Sequence, residues 1–561
     1  MAGPAKPWLT KRTETFAVAA IIAVHLLLSL ASAHDESVTT DEFAHLPAGI
    51  SYWRMRDFRL YSQSPPLCSL WAALPVAWSV KVPASAGWKA ANHWVVGQDF
   101  MSANAVAYQG LFFRARVMMA LTGPLLILLV WRWSRKLYGP PAGLASAVLA
   151  GFCPNLIAHA PLVATDAGAA LTFAAACFFF DRWGERKTPA AAGLAGLMLG
   201  LALLGKFTAL LLLPLLPLLA TLRLWPERRD LSAKNIIGSA ALMLAVALVV
   251  INTGYFWRSA FPAVGQFEFQ SSVARAAGSL LPAWLPLPVP YDFVNGFDRQ
   301  ARDNELPYWL YLGGEVSQTG PWYYFPVILA AKLPLTFSAL LLLGLAGLGV
   351  NKPRREEVFA LLPPVAVIGT IAFLSQVSGT LRYLLPAFPF LYLLGGRPLA
   401  AFAGRRWRLL AAGLVLAQVA TAVAAYPYYL SYFNVAAGGT ENGHRLLADS
   451  NLDWGQDLIR LKRYLADRPD RICLAYMGRT DPALYGIDYE LPRAGARCRL
   501  TAVSVNFVVG MPYFLFDHGR MSWVPPLVFS RLRQVPTVGR VGTTIWLFDT
   551  SPQTLPLPAA P

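Results

Sequence analysis

Long apolar stretches alternate with short polar ones along most of the chain. About 20 apolar residues cross the hydrocarbon core of a bilayer as a helix. Runs near that length fall at 16–33, 114–133, 141–158, 165–180, 191–206, 208–223, 237–254, 323–347, 358–375, 382–400 and 408–426. These eleven runs predict a multi-pass α-helical membrane protein. The two within 191–223 are short, and read either as two spans or as one tilted or re-entrant helix. The run FAVAAIIAVHLLLSLASA at 16–33 closes on A-S-A like a signal peptide, but ahead of so many later spans it reads as an uncleaved first helix.

Charge placement supplies an orientation. With the N-terminus in the cytoplasm, RWSRK at 132–136, DRWGERK at 181–187, RLWPERRD at 223–230, NKPRRE at 351–356 and GRRWR at 404–408 all fall inside, as the positive-inside bias requires. A single span over 191–223 would put the later basic loops on the wrong side, so two spans fit better. The outer side then receives 34–113, 255–322 and everything after Tyr426. In the first of these, EFAHLPAGISYWRMRDF reads as an amphipathic surface helix with Phe43, Leu46, Ile50, Trp53 and Phe58 on its apolar side. The second is rich in Trp, Pro and Tyr and reads as lying along the membrane interface. Beyond about 430 the pattern changes to a polar helix at 453–469 followed by the β-like segments RICLAYM, TAVSVNFVVG and GTTIWLFD, which predict a small α/β domain.

Composition agrees with the membrane reading. Of 561 residues, 56% are hydrophobic and 14% charged, against about 25% charged in soluble domains. The formal charge of +17 sits in short clusters between apolar runs, which suits anionic lipid and disfavours a nucleic-acid partner. Cys68, Cys153, Cys177, Cys473 and Cys498 show no C-x-x-C spacing, so a structural zinc or iron–sulfur site is disfavoured. Cys473 and Cys498 share the tail, and are either a disulfide in an extracytoplasmic domain or two free thiols.

Some polar residues are not explained by solvation. Asp41 and Glu42 follow the first span; they read either as acids favoured at a helix start, capped by Thr39 or Thr40, or as a general base at the outer face. Asp166 opens a span, with His159 before it, and an ionisable group at membrane depth is a functional candidate. Lys206 and Arg382 end and open spans on that outer side, where each either snorkels or anchors, or meets a phosphate. The assigned topology brings all of these to one face, as a reaction on a phosphate-bearing lipid requires. Walker, Rossmann and H-E-x-x-H motifs are absent.

TTDEFAH at 39–45, PPL at 65–67, HAPLVATD at 159–166, GKFTAL at 205–210 and RYLLPAFP at 382–389, in this order, resemble the GT-C membrane glycosyltransferases: the protein O-mannosyltransferases and the bacterial enzymes that move aminoarabinose or other sugars from a polyprenyl phosphate. The resemblance covers residues 15 to about 430. It implies a GT-C fold of about 11 transmembrane helices at 1–429, with an extracytoplasmic α/β domain at 430–561. It also implies inverting transfer of a sugar from a polyprenyl-phosphate donor to a glycan, lipid or protein acceptor at the periplasmic face of a bacterial inner membrane. Asp41 would be catalytic with Glu42 beside it, and Lys206 and Arg382, with His159 and Asp166, would serve the donor phosphate and substrate. His45 is a further candidate contact to sugar or acceptor. Where relatives often carry a charged or imidazole residue before the proline pair, this chain has Gln63 and Ser64, which leaves the acceptor class open. No cofactor is required and no metal-ligand set is evident, although the acid pair leaves a divalent cation open. The segment 428–465 resembles a block of bacterial members, and in it Asn451, Asp453, Trp454, Gln456 and Asp457 read either as sugar or acceptor contacts or as caps and packing. A lipid-linked sugar transporter, which would carry mid-span charges and paired repeats, and a non-catalytic scaffold are the competing classes.

Overall fold

The computed structural model describes residues 10–225, 232–374, 379–402, 404–468, 471–492, 498–517 and 520–549. The apolar runs are helical, but breaks divide several of them. Among the described residues, seven helices are long and apolar enough to cross a membrane: Lys11–His34, Ala105–Tyr138, Phe207–Leu224, Ala233–Gly254, Arg355–Phe373, Leu381–Ala401 and Arg405–Ala424. An eighth arises if Tyr324–Lys332 and Leu335–Val350, bent by 116° at Pro334, count as one. That is fewer than the eleven expected, for physical reasons. Proline cannot continue a helix as an interior donor, and Pro154 splits 141–158 into Pro140–Gly151 and Pro154–His159. Helix Asp166–Arg186 ends in charged residues, and Pro189–Gly205 is only 17 residues long. The division of 191–223 does appear: Lys206 is extended (φ −162°) between Gly205 and the short 3-10 helix Phe207–Leu211. Part of the basic cluster at 223–230, and the last residues of the expected elements 358–375 and 453–469, lie outside the described residues.

The first outer loop corrects its expected form. Helix Glu42–Met55 does form, but every residue from Glu42 to Tyr52 is buried, so it is a packed element and not a one-sided surface helix. It lies against helices Leu67–Ala73 and His93–Ala103, with Phe43, Leu46 and Ile50 in a core shared with Phe100 and Phe112. The second loop forms helices Ser272–Ser279 and Tyr291–Glu305 and a hairpin of β1 (Leu310–Leu312) with β2 (Glu315–Ser317). Phe261, Leu280, Trp284 and Trp322 remain exposed on it, as an interfacial segment would leave them. Gly296 lets helix Tyr291–Glu305 approach the preceding loop, since a Cβ there would stand 2.3 Å from the Ser62 carbonyl oxygen.

The tail is built on β3 (Ile472–Ala475), β4 (Tyr489–Glu490), β5 (Leu500–Ser504), β6 (Tyr513–Asp517), β7 (Arg520–Val524), β8 (Gly539–Val541) and β9 (Ile545–Asp549). Five of them form a sheet in the order β4-β3-β5-β9-β8, parallel around β3 and antiparallel from β5 to β8, while β6 and β7 pair as a hairpin. Cys473 and Cys498 are joined as a disulfide. Two expectations are corrected here. The helix read at 453–469 covers only Leu458–Leu465, because Gly455 takes φ +86°, which ends regular helix before it begins. The strand read at 501–510 stops at Ser504 and turns into the short helix Val505–Val508.

Candidate active site

Asp41 stands at the start of helix Glu42–Met55, on a loop held from two sides. From one side comes Arg116, wholly buried, whose Nη1 donates to the carbonyls of Ala33 and Glu36 (both 2.7 Å) and whose Nη2 donates to that of Ser37 (2.9 Å). The same guanidinium clasps Glu42 through Nε to Oε1 (2.8 Å) and Nη2 to Oε2 (2.5 Å). The Val163 N–H donates to Glu42 Oε1 at 3.0 Å, and the Thr39 N–H and hydroxyl donate to Oε2 at 2.9 and 3.0 Å. Burial alone would raise this carboxyl; Arg116 overrides it and holds the group below its usual range. Both oxygens of Glu42 are thereby engaged, and unlike Asp41 it is not among the residues lining the cavity described below. Neither Thr39 nor Thr40 caps the helix through its side chain.

From the other side, the tail segment 451–458 grips the loop. Ser37 N–H donates to the Gln456 carbonyl (2.9 Å) and Thr40 N–H to that of Trp454 (3.1 Å), while the Ser37 hydroxyl donates to the Gly455 carbonyl (2.7 Å). Most of the polar side-chain atoms of this segment bond to the protein itself. Gln456 accepts from Trp454 N–H (2.7 Å) and donates to the Leu452 carbonyl (2.9 Å). Asp457 accepts from Thr543 N–H and from the Thr544 N–H and hydroxyl (3.0, 3.1 and 2.8 Å). Asp453 accepts from Gly455 N–H (3.0 Å), and burial pushes its carboxyl up to about 8. Asn451 accepts from Leu381 N–H (2.9 Å) and donates to the Gly379 carbonyl (2.7 Å), fixing the chain just before Arg382. Asn451, Gln456 and Asp457 are thus bonded within the protein, whereas Asp453 Oδ2 is buried with no hydrogen-bond partner among the described residues. Trp454 instead lies under the Arg382 guanidinium, 4.6 Å from ring centre to cation.

The cations converge on Tyr383. Arg382 pairs through Nη1 with Asp41 Oδ2, both side chains being about one-sixth exposed. Lys206, freed from its helix by the break at Gly205, reaches Asp166 Oδ1 at 2.5 Å and lies 4.7 Å from the Tyr383 ring. Asp166 Oδ2 is buried with no hydrogen-bond partner among the described residues. His159 is buried beside Trp454, ring centres 6.1 Å apart, and does not line the cavity; its Nδ1 has no hydrogen-bond partner among the described residues.

Asp41, His45, Asp166, Lys206 and Arg382 line one cavity of about 330 Å³. His45 Nδ1 faces the Ser69 hydroxyl at 3.0 Å, and burial lowers its imidazole to about 4, against the pull of Asp41, so it is neutral at pH 7. Sequence reasoning missed other walls: Tyr61, His93 and Trp94 from the first loop, Gln300 and Asn304 from the second, and Tyr308 and Tyr383. Tyr61 takes φ +59°, a costly left-handed conformation for a bulky residue, of the kind held at functional sites. Gln63 and Ser64, just before the proline pair, also line the cavity. A second cavity of about 350 Å³ continues from the first and shares Gln63, Ser64, Lys206, Gln300, Asn304 and Tyr383 with it. Its remaining walls are mostly apolar, among them Phe207, Leu210, Leu211, Pro214, Phe297 and Ile371.

Residues 105–257 match the family model described as dolichyl-phosphate-mannose-protein mannosyltransferase. Among solved structures, ArnT from Cupriavidus metallidurans in the apo state is similar with a TM-score of 0.51 and 15% identity, over 92% of this chain and 98% of that one. ArnT of the same organism bound to undecaprenyl phosphate gives 0.46 and 14%, over 97% and 99%. The Archaeoglobus fulgidus oligosaccharyltransferase in the apo form gives 0.47 and 12%, over 93% and 76%. Comparison with curated proteins by sequence gives no match. The apo ArnT likeness shows the fold: an ArnT-like GT-C arrangement of membrane helices followed by a small sheet domain, in agreement with the resemblance carried by the sequence motifs.

Proposed function

We propose that this chain transfers a sugar from a polyprenyl-phosphate donor to a hydroxyl-bearing acceptor at the outer face of a bacterial inner membrane, with inversion at the anomeric carbon. The observation that carries this is the junction at Lys206. A polar cavity with carboxylates and cations opens there into an apolar groove, as an amphipathic donor requires. The isoprenoid chain lies along Phe207, Leu211 and Phe297, the phosphate meets the Lys206 ammonium, and the sugar extends toward Asp41. Asp41 takes the acceptor proton as the acceptor oxygen attacks the anomeric carbon; the bond from that carbon to the phosphate oxygen breaks, and the lipid phosphate leaves with the electron pair. Arg382, beside both Asp41 and Tyr383, supplies positive charge for the developing phosphate dianion. Asp166 Oδ2, buried and unpartnered among the described residues, is available to accept from a sugar hydroxyl.

In this reading residues 1–429 are the transferase module and 430–561 a periplasmic domain, and the N-terminus is cytoplasmic. The Cys473–Cys498 disulfide supports an oxidising compartment for the tail. The donor half is tested by binding undecaprenyl phosphate to the purified protein. A lost charge-assisted hydrogen bond costs about 1.5–3 kcal/mol, so Lys206→Met is expected to weaken binding roughly ten- to hundredfold. A short-chain prenyl phosphate is expected to bind more weakly than the undecaprenyl compound to both proteins. Unchanged affinity in Lys206→Met would remove the phosphate from this junction.

A further inference from the structure

Helix Asp166–Arg186 carries the site's Asp166 at one end and a second, unrelated concavity at the other, about 30 Å away at 1.5 Å per residue. This groove, about 440 Å³, lies between the ends of helices Thr122–Tyr138, Asp166–Arg186 and Pro189–Gly205. Its walls hold four cations, Arg132, Lys136, Arg182 and Arg186, over a floor of Phe178 and Phe179, and among the described residues no carboxylate lines it. The nearby acids engage two of these four cations, Lys136 and Arg182, and leave the other two. Asp181 takes Lys136 (2.5 Å) and Arg223 (3.2 Å), and Glu185 takes Lys136 (2.6 Å) and Arg182 (3.2 Å). Arg132 and Arg186 are exposed and make no ion pair or hydrogen bond among the described residues.

From this we infer that the groove binds the phosphodiester headgroup of an anionic glycerophospholipid, held between Arg132 and Arg186, with an acyl chain descending over Phe178, Phe179 and Leu194. Guanidinium forks suit phosphate oxygens. Basic recesses between transmembrane helices are the form in which membrane proteins take anionic lipid headgroups. Ordinary snorkelling explains single arginines at a membrane surface. It does not bring two unpaired guanidiniums from different helices to the rim of one aromatic-floored recess.

The test measures retention of phosphatidylglycerol, phosphatidylcholine and inorganic phosphate on the detergent-purified protein by native mass spectrometry. The native chain is compared with R132Q/R186Q and with R405Q/R406Q, which removes equal exposed charge outside the groove. The expected result is a loss of phosphatidylglycerol retention of roughly tenfold or more in R132Q/R186Q alone, at about 1 kcal/mol for each basic residue near an anionic headgroup. Phosphatidylcholine and inorganic phosphate should be indifferent to both substitutions. Equal losses in the two double variants would reduce the groove to diffuse surface charge. An equally large loss of inorganic phosphate in R132Q/R186Q would make it a free-phosphate site and overturn the lipid assignment.

Discussion

Replacing Glu42 by Gln leaves Arg116 buried without its counter-charge, a change that typically costs about 3–5 kcal/mol. The expected outcome is a strongly lowered melting temperature in detergent, with loss of the loop geometry that Arg116 imposes on residues 33–42. Asp41→Asn, at the cavity rim and partly exposed, should melt close to the native protein. A comparable melting loss in both variants would contradict the division between a structural and a reactive acid. The sequence holds these two acids side by side, and nothing local separates them. The difference lies in Arg116, 74 residues away, and in the Val163 amide, 121 residues away. By contrast, Lys206 and Arg382 could be picked out from the sequence, because a lone cation beside a long apolar run has few ordinary explanations.

Elements position these side chains through their breaks more than through their regular parts. Lys206 faces the cavity because helix Pro189–Gly205 stops, and Arg382 is set by Asn451 bonding to the backbone at Gly379 and Leu381. Asn451 is in turn held by the buried Lys332, whose ammonium donates to the Asn451 carbonyl at 2.5 Å. Asn451→Leu keeps the branched shape but orphans a buried N–H and a buried carbonyl, each costing about 1–3 kcal/mol. The expected effect is a drop of roughly ten- to hundredfold in transfer, since small displacements of a positioning group have that size. Transfer and melting measured on the same preparation check this; native transfer would show that Asn451 does not set Arg382. Apolar periodicity reveals helices but not such breaks. It marked 323–347 and 141–158 as continuous although Pro334 and Pro154 interrupt them. In 453–469, polar spacing suggested a helix where Gly455 forces a turn.

Across the whole molecule, the membrane bundle and the tail meet at the loop that carries Asp41, so the stability of the tail bears on the site. The Cys473–Cys498 bridge closes a loop with a sequence separation of 25. A loop of that length is worth about 3–4 kcal/mol in the chain-entropy account. The double Cys→Ser variant is expected to lower the melting temperature and, by loosening 451–458, to lower transfer as well. A variant with native stability would make the bridge incidental. The membrane class and the C-terminal α/β character were legible in hydropathy and residue type. The meeting of a polar cavity with an apolar groove was not, because Asp41 and Arg382 are 341 residues apart and Asp166 and Lys206 are 40 apart, and only the fold brings the pairs together.

The central claim, that Asp41 serves transfer from a polyprenyl-phosphate sugar, is tested most directly by donor turnover. The purified native chain and Asp41→Asn are incubated with a panel of radiolabelled polyprenyl-phosphate sugars and membrane extract as acceptor. The expected result is turnover of at least one donor by the native chain and a loss of about 100-fold or more in Asp41→Asn, with the variant still folded. Native-level turnover by Asp41→Asn would contradict the account, as would a folded native chain that turns over none of the donors.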